Sequence, residues 1–524
     1  MKKRNSIFIF HLIITNFLFG QEVLIPSSSN VKDKILFSNE RNEVIGNGFF
    51  PISYNQANYQ LPPKDTLRNR SWVVRKLLKE HFVQIQQKDY LLTIDPLFNV
   101  SVGKELLQEM PYHLFQNTRG IQAFGQLKDK LSIYTAFYEN QARFVDYQKE
   151  YFFSRGELYP KNDSLYVKDN AVIPGGGRTK PFKEYGFDYA SAVSYIRFTP
   201  IRQLAIQFGN MPRFLGWGHR SLLLSDNSHN YTHLSIDWEI IKDLNYTFIR
   251  GKQLNLFRKV YSNLVEKPYE RKGIGIHYLS YKVNPSLLIG LFESTVFLRD
   301  ESTSNQRVNA SFYNPIIGLN TAILGMEKTD VKNLIGLNLA WKFHTQHMVY
   351  GQAITDDVKQ FQYGFQVGYR TGNTFGIKNL HFQLEYNQAS DLLYAADQER
   401  MAYTHFNLPL AHTLGNGFKE ILTRISYEWR GLFVEASAMY YLANEEMRNK
   451  HNLFASKSES LEQSKTEVFY ANLEWGYVVN PATQLRVFLQ GSYRASRSDS
   501  KGSLNYGTVH LGIRSALTNR YFDF

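Results

Sequence analysis

Phe361-Gln362-Tyr363-Gly364-Phe365-Gln366-Val367-Gly368-Tyr369-Arg370 decides the fold. Its odd positions are aromatic or aliphatic, and its even positions are glutamine, glycine and arginine. A period of two belongs to a β-strand, whose successive side chains point to opposite faces. The pattern recurs on both sides of this stretch. Leu380, Phe382, Leu384 and Tyr386 alternate with His381, Gln383, Glu385 and Asn387. Ile335, Leu337, Leu339, Trp341 and Phe343 oppose Gly336, Asn338, Ala340, Lys342 and His344, while Ile421, Ile425, Tyr427 and Trp429 oppose Arg424, Ser426, Glu428 and Arg430. Phe469, Leu473, Trp475 and Tyr477 repeat it late in the chain against Tyr470, Asn472, Glu474 and Gly476.

Alternation is shared with soluble sandwiches, so three further features decide between the classes. The polar face mixes charges (Glu385, Arg424, Glu428, Arg486, Arg494) with glycines (Gly364, Gly476, Gly512), as a wet or plugged lumen would. Aromatics crowd the strand ends (Trp341, Phe343, Tyr386, Trp429, Trp475, Tyr477), where interface girdles belong. Connections alternate between tight turns, such as Val283-Asn284-Pro285-Ser286, Arg430-Gly431 and Asn480-Pro481-Ala482-Thr483, and long segments near 139–189, 211–230, 299–334, 388–419, 442–465 and 495–504. Short turns on one side and long loops on the other are the arrangement of an outer-membrane barrel.

The predicted fold is therefore all-β, a transmembrane antiparallel β-barrel. Strands are expected near 90–102, 113–125, 131–143, 190–199, 203–213, 231–239, 244–254, 272–282, 286–298, 333–343, 347–354, 359–371, 377–388, 419–430, 432–443, 466–479, 484–495 and 505–517. That makes about eighteen, with sixteen as the alternative, and both are even as single-chain bacterial barrels require. The closing Tyr521-Phe522-Asp523-Phe524 resembles the terminal-aromatic assembly signal of such barrels.

Residues 1–20 read as a signal peptide. Lys2, Lys3 and Arg4 precede an apolar stretch from Ile7 to Phe19, with cleavage expected near Gly20. Residues 21–88 form an N-terminal periplasmic or plug segment, and residues 89–524 the barrel. Within the plug segment, Arg70–Ile85 places Trp72, Val73, Leu77, Leu78, Phe82 and Ile85 at helical spacing behind a capping Ser71. This amphipathic helix is expected at the periplasmic mouth, its apolar stripe against the aromatics of the inner wall.

Composition agrees with a barrel of this kind. The 524 residues include no cysteine, which excludes disulfide scaffolds, thiolate metal sites, a cysteine nucleophile and a lipoprotein anchor. Aromatics make up 15% of the chain although its mean hydropathy is only −0.36. Without residues 1–20 there are 57 basic against 47 acidic residues, a balance of +10. The cations are spread over turns and loops, which excludes nucleic acid as a partner. Outer-membrane lipid, lipopolysaccharide and acidic surface polysaccharide fit better.

Function on a rigid scaffold sits mostly in loops. Three segments stand out, namely Gly216-Trp217-Gly218-His219-Arg220-Ser221 running on to Asp226-Asn227-Ser228-His229-Asn230-Tyr231, then Phe312-Tyr313-Asn314-Pro315-Ile316-Ile317-Gly318-Leu319-Asn320, then Tyr403-Thr404-His405-Phe406-Asn407 running through His412 and Asn416 to Glu420. In this order they resemble the capsule-assembly Wzi family of outer-membrane barrels, and more closely its Bacteroidetes branch, which includes the gliding-motility protein RemB. Leu408 and Thr413 stand where glutamine and proline are more usual in the family. The resemblance implies an eighteen-stranded barrel closed by N-terminal helices, whose extracellular loops associate with surface polysaccharide. In the gliding branch it implies an accessory role in movement or adhesion, with gliding-machinery proteins as partners.

On that reading the protein is non-enzymatic, a monomeric barrel with no cofactor and no metal, and a passive diffusion porin is the alternative. Trp217, His219, Arg220, Asp226, Asn227, Asn230, Tyr231, His405, Asn407, His412 and Asn416 are the expected polysaccharide contacts, with Trp217 as an exposed ring. A metal site on His219, His229, His233, His405 and His412 is disfavoured by their spacing and by the lack of clustered carboxylates. A hydrolase built on Ser225, Asp226 and His229 would require a geometry that sequence adjacency does not supply. Gly175-Gly176-Gly177-Arg178 lacks the strand-to-helix setting of a phosphate cradle and reads as a loop tip.

Overall fold

A computed structural model describes residues 29–37, 41–52, 70–162, 165–258, 268–298, 309–444, 464–515 and 521–524; the expected signal peptide lies outside them. Eighteen antiparallel strands close into a barrel. They are β1 (Tyr90–Glu105), β2 (Leu114–Leu127), β3 (Leu131–Arg143), β4 (Gly186–Ile201), β5 (Leu204–Met211), β6 (Tyr231–Ile241), β7 (Leu244–Arg258), β8 (Tyr269–Asn284) and β9 (Leu287–Leu298). The second half continues with β10 (Val331–His344), β11 (His347–Asp357), β12 (Gln362–Thr371), β13 (Leu380–Ala389), β14 (Phe418–Trp429), β15 (Leu432–Asn444), β16 (Lys465–Asn480), β17 (Leu485–Ser498) and β18 (Gly502–Arg514). Each pairs with its neighbours in the chain, and β18 closes on β1 in a register running from Thr508↔Glu105 to Arg514↔Asn99. Every predicted strand is present within a few residues of its expected position.

The alternation is realised as predicted. Val367, Leu337, Leu339, Trp341, Trp429 and Trp475 are exposed on the outer wall, whereas Gln366, Arg370, Glu385 and Asn338 are buried in the lumen. Closure of β18 on β1 pairs each wall strand on both sides, so backbone polar groups in the membrane-spanning stretch are satisfied within the wall, as hydrocarbon surroundings demand. Trp238, Trp341, Trp429 and Trp475 lie near the short-turn ends of their strands and form a girdle there. Arg430 and Gly431, both at positive φ (49° and 88°), make one of these turns.

The N-terminal segment differs from expectation. The helix over 70–85 forms only at Trp72–Leu78, where Ser71 Oγ accepts the Val74 amide hydrogen, and the chain then extends into a short strand, Val83–Gln86. That strand pairs with β1 at Val83↔Ile94 to Gln86↔Leu91, below the stretch of β1 that β18 occupies. Trp72, Val73, Leu77, Leu78, Phe82 and Ile85 are exposed, so the apolar stripe faces away from the inner wall rather than against it. The side chain of Asn480, on a short turn, donates to the carbonyls of Lys76 and Glu80 and fixes the helix at the rim. The lumen mouth is taken instead by helix α1 (Ser29–Phe37) and residues 41–52. Ile35, Leu36, Phe37, Phe50 and Ile52 are buried there with Phe214, Trp217 and Tyr350.

The closing aromatics are not part of the last strand either. β18 ends at Arg514, and Tyr521 and Phe524 are buried inside the barrel. Phe524 stacks on Tyr151 of helix α2 (Asp146–Ser154) at 3.6 Å between ring centroids.

Candidate functional site

The loop segment 212–230 folds back into the lumen, and polar side chains of the inner wall bind its backbone. Gly216 adopts φ 121°, a conformation that favours glycine, and a Cβ there would lie 2.3 Å from Gln352 Nε2. This close approach lets Gln352 donate to Leu215 O (2.9 Å) and accept from the Leu222 amide (2.8 Å). The Glu385 carboxylate, fully buried on β13, accepts from the backbone N–H groups of His219 (2.8 Å) and Arg220 (3.1 Å), from Tyr350 Oη (2.8 Å) and from Asn387 Nδ2 (2.8 Å). Arg370 donates to the Trp217 carbonyl and pairs with Asp33 of α1, tying loop, wall and N-terminal plug together.

A second luminal cluster centres on Arg220. Its guanidinium meets Asp523 at 2.9 Å and Glu420 at 3.4 Å and lies over the Tyr521 ring. Tyr521 Oη donates to Asp226 (2.8 Å). Glu420 also accepts from Asn387 Nδ2 (2.9 Å) and from His412 Nε2 (2.8 Å), while His412 Nδ1 accepts the Leu414 amide hydrogen. Buried charges are tolerable only when paired and hydrogen-bonded in this way.

The loop segment 390–417 packs on top. Tyr394 and Tyr403 donate to the carbonyls of Leu222 and Leu223 (2.7 and 2.9 Å), and the Ser225 amide donates to Leu410 O. His405 accepts the Leu254 amide hydrogen at Nδ1 and donates from Nε2 to Asn230 O, a neutral tautomer set by its partners. Burial accordingly pushes His405 down to about 3 and His229 down to about 4. His219 is likewise held well below its usual range, by burial and by the neighbouring Arg424 and Arg220. In α1, burial and then Arg370 push the Lys32 ammonium down to about 7.

The residues expected to touch polysaccharide are thus brought together, but inward. Trp217 is 0% exposed, and Arg220, Asp226, Asn227, Asn230, Tyr231, His405, Asn407, His412 and Asn416 are all buried. His219 is enclosed as well, its ring against Tyr521. Asn230 bonds Ser191 Oγ and Ala192 O, Asn227 reaches Pro409 O, and Asn407 bridges the Leu256 amide to the carbonyls of Arg155 and Gly156. Apart from the half-buried His219, these side chains are turned into the barrel and bonded there. Trp217 is the plainest correction: it packs among Phe37, Phe50, Phe214 and Tyr350 because the inward fold of its loop removes it from water. Ser225, Asp226 and His229 form no triad, since Ser225 Oγ accepts the Asn227 amide, Asp226 binds Tyr521, and His229 packs on Phe406.

What the long-loop end does expose is a cluster the sequence does not announce. Tyr112 and Tyr185 stack at 4.9 Å with 22° between their planes. Lys149 Nζ lies 5.0 Å from the Tyr112 ring centroid, Arg143 Cζ 5.7 Å from it, and Lys183 beside Phe182. Tyr185 and Lys183 are open to solvent. Aromatic rings flanked by cations are the chemistry that holds a sugar ring and its carboxylate. The two tyrosines come from different connections, 73 positions apart, so no local pattern links them.

Closure through β18 and β1, an apolar outer wall and a polar, filled interior define a transmembrane β-barrel of the outer-membrane kind. Among solved structures the chain is similar to Wzi of Escherichia coli, described as an outer membrane protein involved in group 1 capsule assembly and a carbohydrate-binding β-barrel. The identity is 12%, the TM-score 0.54, and the match covers 95% of this chain and 99% of that one. OpdK of Pseudomonas aeruginosa matches at 9% identity and TM-score 0.41, over 81% of this chain and 98% of that one. OccAB4 of Acinetobacter baumannii matches at 11% and 0.42, over 82% and 98%. At these identities the likeness is one of fold. No protein-family model matches the sequence, and no curated protein does.

Proposed function

We propose that this protein is a non-enzymatic outer-membrane barrel that holds acidic surface polysaccharide at its extracellular rim. The observation that carries this reading over a diffusion pore is the filled lumen. Two long loops, α1, α2 and residues 521–524 occupy the space a solute would cross, and buried wall carboxylates and amides bind their backbones. A chain that spends so many polar groups on closing its lumen leaves its outer surface for partners. The Tyr112–Tyr185 stack with Arg143, Lys183 and Lys149, the last paired with Asp146 at 2.6 Å, is an exposed surface whose chemistry suits an anionic sugar chain. A role in capsule assembly accords with the carbohydrate-binding barrel the fold resembles. A role as an accessory of gliding or adhesion accords with the resemblance of the loop segments to the Bacteroidetes branch. In either setting lipopolysaccharide would be the neighbour that the basic balance accommodates.

The test is retention of purified acidic exopolysaccharide by the folded protein. Tyr185→Ala with Lys149→Ala should lower retention at least tenfold, and Lys359→Ala, on the exposed turn between β11 and β12, should not. Equal retention by the rim variant would reject the assignment of the site. No retention by the unaltered protein would reject the function.

A further inference from the structure

The connection between β9 and β10 does not stand up from the barrel. Residues 309–325 lie flat against the outside of the wall, on the face of β7–β10 that elsewhere meets lipid. Six wall side chains that point outward here are polar, namely Tyr246, Arg250, His277, Glu293, Thr295 and Asn333; the segment bonds five of them, and His277 is held by Arg250 and Tyr246. Glu293 accepts from the backbone N–H groups of Gly318 (2.7 Å) and Thr321 (3.0 Å) and from Thr321 Oγ1 (2.6 Å). Asn320 Nδ2 donates to Thr295 Oγ1 (3.2 Å), and Asn333 Nδ2 donates to Gly325 O (2.6 Å). Arg250 donates to the carbonyls of Phe312 and Asn314 and to His277 Nε2 (2.8 Å), and Tyr246 Oη donates to Pro315 O. Phe312 packs edge-on against Phe297.

The height of this patch matters. Leu287 pairs with Trp341 of the short-turn girdle, and Glu293 lies six residues further along the same strand. At about 3.3 Å per residue and a tilt of roughly 40°, Glu293 sits about 15 Å above the girdle and Thr295 about 20 Å, within an apolar band of about 25 Å. Lipid-facing Leu291 and Leu337 are one outward step below. A bare Glu293 and Arg250 at that depth would be costly against acyl chains. The covering segment itself carries no charged residue from Asn309 to Met326. Its outward side chains are apolar: Tyr313 is 72% exposed, Ile316 57%, Leu319 36% and Ile323 66%. A loop bathed in water has no need of this composition, whereas one immersed in lipid does.

We infer that residues 309–325 form a flap inserted in the outer leaflet, and that its occupant is the acyl-chain region of the bilayer. Tyr313, Ile316, Leu319 and Ile323 continue the belt of Ile289, Leu291, Leu337 and Leu339 over a polar strip of wall. The inference is independent of where polysaccharide binds.

Because the chain has no cysteine, single-thiol variants can be labelled cleanly. Ile316→Cys and Ile323→Cys would carry a nitroxide in the full protein, reconstituted in phosphatidylethanolamine and phosphatidylglycerol vesicles. Collision rates with oxygen and with a water-soluble nickel chelate are then compared with Leu337→Cys on the wall and Ser500→Cys on the exposed turn between β17 and β18. The flap predicts that positions 316 and 323 follow 337, with oxygen favoured over the chelate several-fold. Accessibility to the chelate like that of 500 would overturn it by placing the segment in water. Protection from both reagents, with spin–spin broadening, would overturn it by placing a second copy of the chain there.

Discussion

Glu385→Ala should release the loop that seals the lumen. The carboxylate it removes is fully buried and holds the amide hydrogens of His219 and Arg220 at 2.8 and 3.1 Å, with the Tyr350 hydroxyl and Asn387 beside them. Alanine leaves two backbone donors unpaired in a dry interior, at about 1–3 kcal/mol each, so the closed loop loses about 2–6 kcal/mol. Every 1.4 kcal/mol is tenfold in an opening equilibrium, so exchange of the amides between residues 213 and 224 should accelerate at least about 30-fold. Amides of β16 and β17, three and four strands along the wall from β13, should be unchanged. The assay is hydrogen–deuterium exchange read by mass spectrometry, in detergent or vesicles. Glu385→Gln, which keeps the shape and one acceptor oxygen, should fall between. Exchange of residues 213–224 within threefold of the unaltered protein would refute the view that wall carboxylates hold this loop shut.

Three further outcomes follow from the same contacts. Trp217→Ala should cost about 3–5 kcal/mol through the cavity it leaves among Phe37, Phe50 and Phe214, measured as a drop in the heat needed to unfold the barrel in detergent, while polysaccharide retention per folded molecule stays the same. Phe524→Ala should destabilise by a similar amount, because the ring is buried against Tyr151 and Phe152, and thermal unfolding checks it in the same way. Acidification should loosen the loops: His229 and His405 are neutral when packed, at about 4 and about 3, and titrate near 6.5 when released. A base whose folded value is depressed contributes stability above its unfolded value and loses it as pH falls, so each loses on the order of 2 kcal/mol between pH 7.5 and 5. Protease cleavage within residues 212–230 should rise over that interval, and a flat profile would contradict the tautomer assigned to His405.

The wall is legible in the sequence because its signal is local. A strand shows both its faces within ten residues, so the stretch Phe361–Arg370 announces its lipid side and its luminal side without reference to any other part of the chain. The loops are not legible in this way. Trp217 and Arg220 look like surface groups in sequence, and only Gln352, Glu385 and Glu420, contributed by strands more than a hundred residues away, turn them inward. The helical spacing over 70–85 is real, but propensity holds only Trp72–Leu78, and pairing with β1 takes the rest into a strand. The Tyr112–Tyr185 stack joins two separate connections and leaves no trace in either. The flap does leave one: a long extracellular connection with no charge between Asn309 and Met326 is unusual, and that lack of charge can be read directly from the order of residues.

The proposed function rests on a lumen that is sealed. Single-channel recording across a planar bilayer tests it most directly. The unaltered protein should insert without stepwise ohmic current at moderate voltage, because its lumen is filled by its own loops, and Glu385→Ala should show flickering openings. Stable, open steps from the unaltered protein would contradict the account and make it a diffusion channel.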